Sequence, residues 1–194
     1  MLGKIFRRIR STFYRIIYFY KAFGLFGLIS RITFFVMPTK KIKSLDVYVN
    51  HLKDKYVLEI GGPSKIFEKN NILELYPSLG GFDLCNIVKT SENIKYICDA
   101  LDLKQIPSQE YDAVLSSHTI EHIANPLKAL NEWKRVLKDD GLMLLVVPHK
   151  DGTVDHKRPL TTIKHLISDF DNSIGEGDKT HLEEVLELTD GRLD

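Results

Sequence analysis

Apolar and polar positions along the chain follow two regimes that meet near Asn50. From Phe13 to Met37 the sequence is strongly apolar, yet Arg15, Lys21 and Arg31 interrupt it. Beyond Asn50, short apolar runs alternate with stretches of helical period. The runs Tyr56–Ile60, a weaker one ending at Asp83, Ile94–Cys98, Tyr111–Ser116 and Leu142–Val147 predict five strands. Strands alternating with helices predict an α/β fold, Rossmann-like, with a mostly parallel sheet and helices on both faces. Between the fourth and fifth runs, Asn125 and Pro126 read as the cap and first position of a helix. Leu127, Leu130, Lys134 and Leu137 recur at three to four residue spacing with Trp133 and Val136 beside them, and Gly141 is expected to close the helix. Ile163, Leu166, Ile167 and Phe170 form a further apolar stripe, and Thr180 with Glu183 matches a capping box before a last helix. Ile72–Tyr76 fits helix and strand alike.

The first 49 residues form a separate segment ahead of a domain over 50–194. Phe6, Ile9, Phe13, Ile16, Ile17 and Tyr20 share one helical face, and Lys4, Arg7, Arg8 and Arg15 share the opposite one. Spanning a membrane takes about 20 mostly apolar residues, and no run here approaches that without a charge. The broken apolar region also lacks a small-x-small cleavage site, so neither a spanning helix nor a cleaved leader is expected. A basic amphipathic helix can lie on an anionic membrane surface through residues 1–37. The same stripe can pack on its own domain or on a second chain. Its charge alone, without a base-reading or base-stacking motif, gives no expectation of nucleic acid.

Composition sharpens this picture in two ways. The 43% hydrophobic and 27% charged content over 194 residues fits an ordinary globular domain and excludes collagen-like and disordered classes. The net charge of +1 hides an asymmetry, because residues 1–45 hold ten basic side chains and no acid. Cys85 and Cys98 cannot build a disulfide framework or a cysteine-rich zinc site, so a reducing cytoplasmic setting is expected, with no metal.

The segment VLEIGGPSK carries the most chemistry. A strand running into Gly61 and Gly62 lets the backbone turn tightly and approach a ligand with no Cβ in the way, at the sheet edge where open α/β folds bind ligands. Glu59 stands just before that turn. Asp83 follows 24 residues later, at the expected end of the second strand, where a carboxylate can accept two ribose hydroxyls. Asp99 ends the third strand, placed for an adenine amino group. The functional reading rests on these three carboxylates converging around one adenosine-bearing molecule.

With these residues in order, the sequence resembles the class I S-adenosylmethionine-dependent methyltransferases, in particular the small bacterial type 11-like group. The resemblance is carried by VLEIGG (57–62), Asp83, CDA (98–100), YDAVLSSHTIEHIANP (111–126) and LKDDGLMLLVVP (137–148). It implies a cofactor site for S-adenosylmethionine formed by Glu59, Gly61, Gly62, Asp83, Asp99, Ala100, Ser117 and His118. One departure stands out: Pro63 occupies the place of the second glycine of the usual first motif, and proline fixes φ and removes a donor. The family fold also adds an antiparallel pair of strands after the fifth. The 44 residues beyond Lys150 read as loops and helices, as in a shortened or truncated relative.

For the reaction itself, His118 lies on the loop after the fourth strand, with Glu121 and His122 close behind it. HKDGTVDHKRP brings His149, Asp155 and His156 together after the fifth. An imidazole suits removal of a proton from a hydroxyl acceptor, so His118, His149 and His156 are the catalytic candidates, with Asp155 as orienter. The reading is methyl transfer to a small-molecule or glycan hydroxyl. The alternative is a catalytically silent cofactor-binding or membrane-tethered module. A nicotinamide oxidoreductase ranks last, since GGPSKI lacks the GxGxxG spacing. Nothing in the sequence sets an oligomeric state. Replacing Arg7, Arg8 and Arg15 with Glu is expected to abolish co-sedimentation with anionic vesicles; retention of the variant on those vesicles overturns the surface reading of residues 1–37.

Overall fold

The computed structural model describes residues 46–69, 73–89, 92–180 and 182–189. The amphipathic stripe read over the first 37 residues lies outside them. Five strands, β1 (Tyr56–Ile60), β2 (Gly81–Asn86), β3 (Ile94–Ile97), β4 (Tyr111–Ser117) and β5 (Leu137–Val146), pair in parallel in the order β3-β2-β1-β4-β5. The chain builds outward from β1 to β3 on one side, then returns to build β4 and β5 on the other. The order therefore reverses between β1 and β4, the switch point at which open parallel sheets take ligands.

A parallel sheet is stable only when both faces are covered, and the alternation of side chains along β1 assigns a core to each. On the first face Leu58 and Ile60 pack with Cys85, Val114 and helix α2 (Pro126–Val136), whose Ala129, Trp133 and Val136 are buried. On the second face Val57, Ala113 and Leu115 pack with Phe67, Leu73, Leu75 and Leu52 of helix α1 (Asp46–Leu52). Helix α1 crosses the expected segment boundary at 49 and 50, and Val49 also rests on this core. Two further helices follow β5, α3 (Ile163–Asp171) and α4 (Leu182–Leu188). Among the described residues after β5 there is no strand, and none of the described helices is long and apolar enough to cross a membrane.

The expected cap at α2 forms, and α3 carries one that its apolar stripe did not announce. Asn125 accepts the Lys128 N–H at 3.1 Å with Pro126 in the first turn, and Thr162 accepts the His165 N–H at 3.2 Å. Gly141 does not close α2, which ends at Val136. It sits instead inside β5, at the register shift between Tyr111 and Ala113, where a Cβ would press on the Lys138 carbonyl and the Leu137 side chain. Ile72–Tyr76 is neither helix nor strand over its described part: Leu73 and Leu75 are buried, and a single tight turn begins at Tyr76.

The second strand corrects one site assignment. It does not end at Asp83 but continues through Leu84, Cys85 and Asn86, and Asp83 pairs in register with Leu58. At about 3.3 Å per residue, Asp83 stands about 10 Å short of the strand's carboxyl end. There it accepts hydrogen bonds from Tyr111 Oη at 2.7 Å and Lys95 Nζ at 2.6 Å, with a third from Tyr56 Oη. Tyr56 and Tyr111 are the first residues of their strands and stack at 5.1 Å, so this cluster belongs to the amino half of the sheet. Burial works to raise the Asp83 carboxyl; the bonds from Lys95, Tyr111 and Tyr56 outweigh it and hold the group below the ordinary carboxylate range.

A carboxylate held low stabilises the fold above its unfolded value of about 3.9 and loses that contribution as pH falls through the folded one. Asp83→Asn is therefore expected to lower stability at pH 7 by about 1–3 kcal/mol, the scale of lost hydrogen bonds to a charged group. The difference from wild type should shrink below pH about 4. Urea unfolding at both pH values checks this, and an equal deficit at both overturns it.

Candidate functional site

The carboxyl edge between β1 and β4 is built around one buried acid. Glu59 is fully buried on the second face. Its Oε1 accepts the Ser64 N–H at 2.8 Å and its Oε2 accepts the Tyr76 hydroxyl. Pro63 has no N–H to offer, so the next residue's amide reaches back to the acid. Gly62 is required by the same geometry, because a Cβ there would land on the Glu59 carboxylate. Gly61 has φ +83°, and its missing Cβ leaves room for the Thr119 hydroxyl. Burial pushes the Glu59 carboxyl up to about 7 against the lowering effect of its bonds from Tyr76 and Ser64.

The end of β4 is tied to this turn. Ser116 Oγ and Thr119 Oγ1 donate to the Ile60 carbonyl at 3.1 and 3.4 Å, and the Gly61 N–H donates to the Cys85 carbonyl at 2.9 Å. Asn86, the last residue of β2, donates its Nδ2 to the Gly62 carbonyl at 2.8 Å. Ser117 closes β4 with a buried hydroxyl that has no hydrogen-bond partner. His118 follows at φ +52°, its N–H bonded to the Val146 carbonyl at 3.0 Å. The imidazole is exposed, with Nδ1 at 3.4 Å from Glu121 Oε1.

The predicted site residues thus separate. Glu59, Gly61, Gly62, Ser117 and His118 gather at the switch point, and Asp99 and Ala100 follow the end of β3 on the same edge. The Asp99 carboxylate accepts the Leu101 N–H at 2.8 Å, and the Ala100 carbonyl accepts Trp133 Nε1 at 3.0 Å. Asp83 is not at this edge, and Glu59 turns to the other face, so the three carboxylates do not converge on one point. The physical reason is strand alternation: Asp83 shares the first face with Tyr56 and Tyr111, whereas Glu59 shares the second with Tyr76. Asn86 takes the strand-end place expected for Asp83. The alternation of Phe82 and Leu84 with Asp83 and Cys85 is the signal that the strand outruns the acid.

In the loop after β5, His149 Nδ1 accepts the Asp151 N–H at 3.4 Å, and His156 Nδ1 lies 3.1 Å from the Thr153 carbonyl. Asp155 is bonded to Arg158 at 3.2 Å, and Arg158 also holds Glu184 at 2.9 Å. The hydrogen bonds that Asp155 accepts, from the Thr153 side chain first and Arg158 after it, hold its carboxyl below the ordinary range. Among the described residues no cluster of three His, Cys, Asp or Glu side chains forms a metal site.

A carboxyl raised in the folded state favours folding below its unfolded value and withdraws that contribution as pH rises through the folded one. For Glu59 the window runs from about 4.5 to about 7. Glu59→Gln is expected to flatten the fall of unfolding free energy across this window relative to wild type. Denaturant unfolding at a series of pH values measures it, and identical slopes in the two proteins overturn the assignment.

Comparison with known proteins adds the following. The family described as "Methyltransferase domain" matches residues 73–145, a stretch that begins after the Gly61–Gly62 turn. An uncharacterised protein of Methanocaldococcus jannaschii is 46% identical over 44 residues, 23% of this chain and 19% of that protein. Among solved structures, the YcgJ protein from Bacillus subtilis is similar at TM-score 0.40 and 22% identity, covering 53% of this chain and 49% of that one. The trans-methyltransferase CalH in complex with SAH is similar at TM-score 0.42 and 15% identity, covering 53% and 34%. The chain therefore spans about a fifth of the curated relative and half or less of these two structures. The match over residues 73–145 makes the stretch from before β2 to within β5, laid out in an all-parallel sheet ordered β3-β2-β1-β4-β5, similar to a methyltransferase domain.

Proposed function

We propose that the chain binds S-adenosylmethionine at the carboxyl edge between β1 and β4 and transfers its methyl group to a small-molecule or glycan hydroxyl. The observation that carries the reading is the buried, unpartnered hydroxyl of Ser117 at the end of β4. Leaving a buried donor unmade costs about 1–3 kcal/mol, a cost that a polar ligand at this edge removes. Asn86 and Asp99 add amide and carboxylate groups at the ends of β2 and β3, suited to ribose hydroxyls and an adenine amino group.

When bound, the cofactor supplies an electrophilic methyl group on a sulfonium, and the protein need only hold an acceptor in line with it. His118 is the base this reading favours. Its imidazole is exposed on the rim beside Ser117, and Glu121 stands on its Nδ1 side, leaving Nε2 for a hydroxyl proton. Residues 1–37 are proposed to hold the protein at an anionic membrane surface, which suits an acceptor carried on or near one.

Calorimetric titration with S-adenosylhomocysteine tests the cofactor site. Binding to the wild type is expected, with Ser117→Ala weakening it by about tenfold, the scale of one lost hydrogen bond. The same substitution should leave unfolding free energy unchanged or higher, because it removes an unpaired buried group. No binding by the folded wild type overturns the reading. Ser117→Ala with unchanged affinity removes the serine from it.

A further inference from the structure

The two cysteines meet, and the ladder between β2 and β3 explains why. Pairing runs Leu84 with Ile94 and then Cys85 with Tyr96, so one extra residue, Lys95, is taken up on β3 at that step. The shift slides β3 along β2, and Cys98, two residues past Tyr96, comes out on the face of Cys85. The Cys98 N–H continues the ladder one step beyond the strand by donating to the Asn86 carbonyl at 3.1 Å. The two Sγ atoms stand 3.1 Å apart. They are the only cysteines in the 194 residues.

We propose that Cys85 and Cys98 form a reversible dithiol–disulfide site, oxidised by low-molecular-weight disulfides of the glutathione type, that locks the segment carrying Asp99 and Ala100 to the end of β2. Cys85 is buried and Cys98 is partly exposed, so an incoming disulfide meets Cys98 first. The hydrogen bond from Cys85 also holds the Cys98 thiol below the ordinary thiol range and pushes that of Cys85 up, which makes Cys98 the attacking sulfur and Cys85 the resolving one. In the first step the Cys98 thiolate attacks one sulfur of the small disulfide, forming a mixed disulfide and releasing one thiolate. In the second, Cys85 gives up its proton and attacks the Cys98 sulfur, expelling the other thiolate. The protein is oxidised by two electrons, and the small disulfide is reduced to two thiols. Reaching the bond length of about 2.05 Å takes about 1 Å of approach, available where the chain leaves β3. The bridge itself is independent of the proposed function; only the locking of the cofactor edge rests on that reading.

The full chain, reduced and then treated anaerobically with glutathione disulfide and a chelator, is expected to lose two hydrogens in intact mass with no change in chain number. Peptide mapping should then join Cys85 to Cys98, and dithiothreitol should reverse the bridge. Cys85→Ser should stop at the glutathione adduct on Cys98, and Cys98→Ser should take up little glutathione. A wild type that stays reduced, stops at the adduct or links between chains overturns the proposal. Titration of S-adenosylhomocysteine into reduced and bridged forms reads the lock: affinities differing by about fivefold or more are expected, and equal affinities overturn it. A reduced protein that binds nothing overturns the proposed function instead and leaves the bridge standing on its mass.

Discussion

The structure turns on a carboxylate taken out of water. Glu59 has no exposed surface, and burying an ionised acid is costly enough that such groups survive only when paired or hydrogen-bonded. Its two oxygens receive the Ser64 amide and the Tyr76 hydroxyl, and Tyr76 in turn stacks on Phe82 of β2 with ring centroids 4.6 Å apart. One side chain therefore joins β1, the glycine turn, the long connection and β2. The bend at Gly61 and Gly62 is held from beneath by this acid, and Gly62 is glycine because the carboxylate occupies the space of a Cβ. In this fold the acid of the VLEIGG segment acts first as a brace for the turn.

A parallel sheet has two unlike edges, and the polar residues divide between them. The amino half gathers Tyr56, Asp83, Lys95 and Tyr111 into a cluster whose donors and acceptors satisfy one another. Such a closed network rigidifies the sheet and leaves nothing over for a ligand. The carboxyl edge does the opposite: Ser117 keeps a hydroxyl with no partner, and His118 presents its imidazole to solvent from a left-handed backbone position. The polar side chains of the amino half are spent on one another, whereas the Ser117 hydroxyl at the carboxyl edge is not.

Most of the architecture was legible because it depends on local pattern. The first strand runs over Tyr56–Ile60 as its apolar run predicts, and α2 begins at Pro126 behind the Asn125 cap. Helices on both faces followed from the alternation of elements. What the sequence hid is set by register and tertiary contact. Asp83 looks like a strand end when read as the last polar residue after Gly81 and Phe82. It becomes a mid-strand residue once three other strand residues donate to it. The bond from Tyr76 to Glu59 spans 17 positions, a separation with no helical or strand period to announce it. Gly141 looks like a helix stop, yet its role is to let β5 shift register against β4.

The unpartnered hydroxyl of Ser117 bears most directly on why the edge is shaped this way. Neighbouring Ser116 shows that a serine here can be satisfied within the protein, since its Oγ reaches the Ile60 carbonyl across the same pair of strands. Alternation along β4 sends the next side chain to the other face, where Ala113 and Leu115 pack in an apolar core. An alanine at 117 would fit that face and remove the desolvation cost of an unmade bond. A hydroxyl in that place costs the fold stability that an alanine would keep. The turn opposite is built from two glycines for reasons inside the fold: Gly61 takes φ +83° against the Thr119 side chain, and the Glu59 carboxylate fills the place of a Cβ at Gly62. On the second face of β4 the unpaired hydroxyl of Ser117 stands where an alanine would serve packing better, a cost that no described side chain of the Asp83 cluster bears.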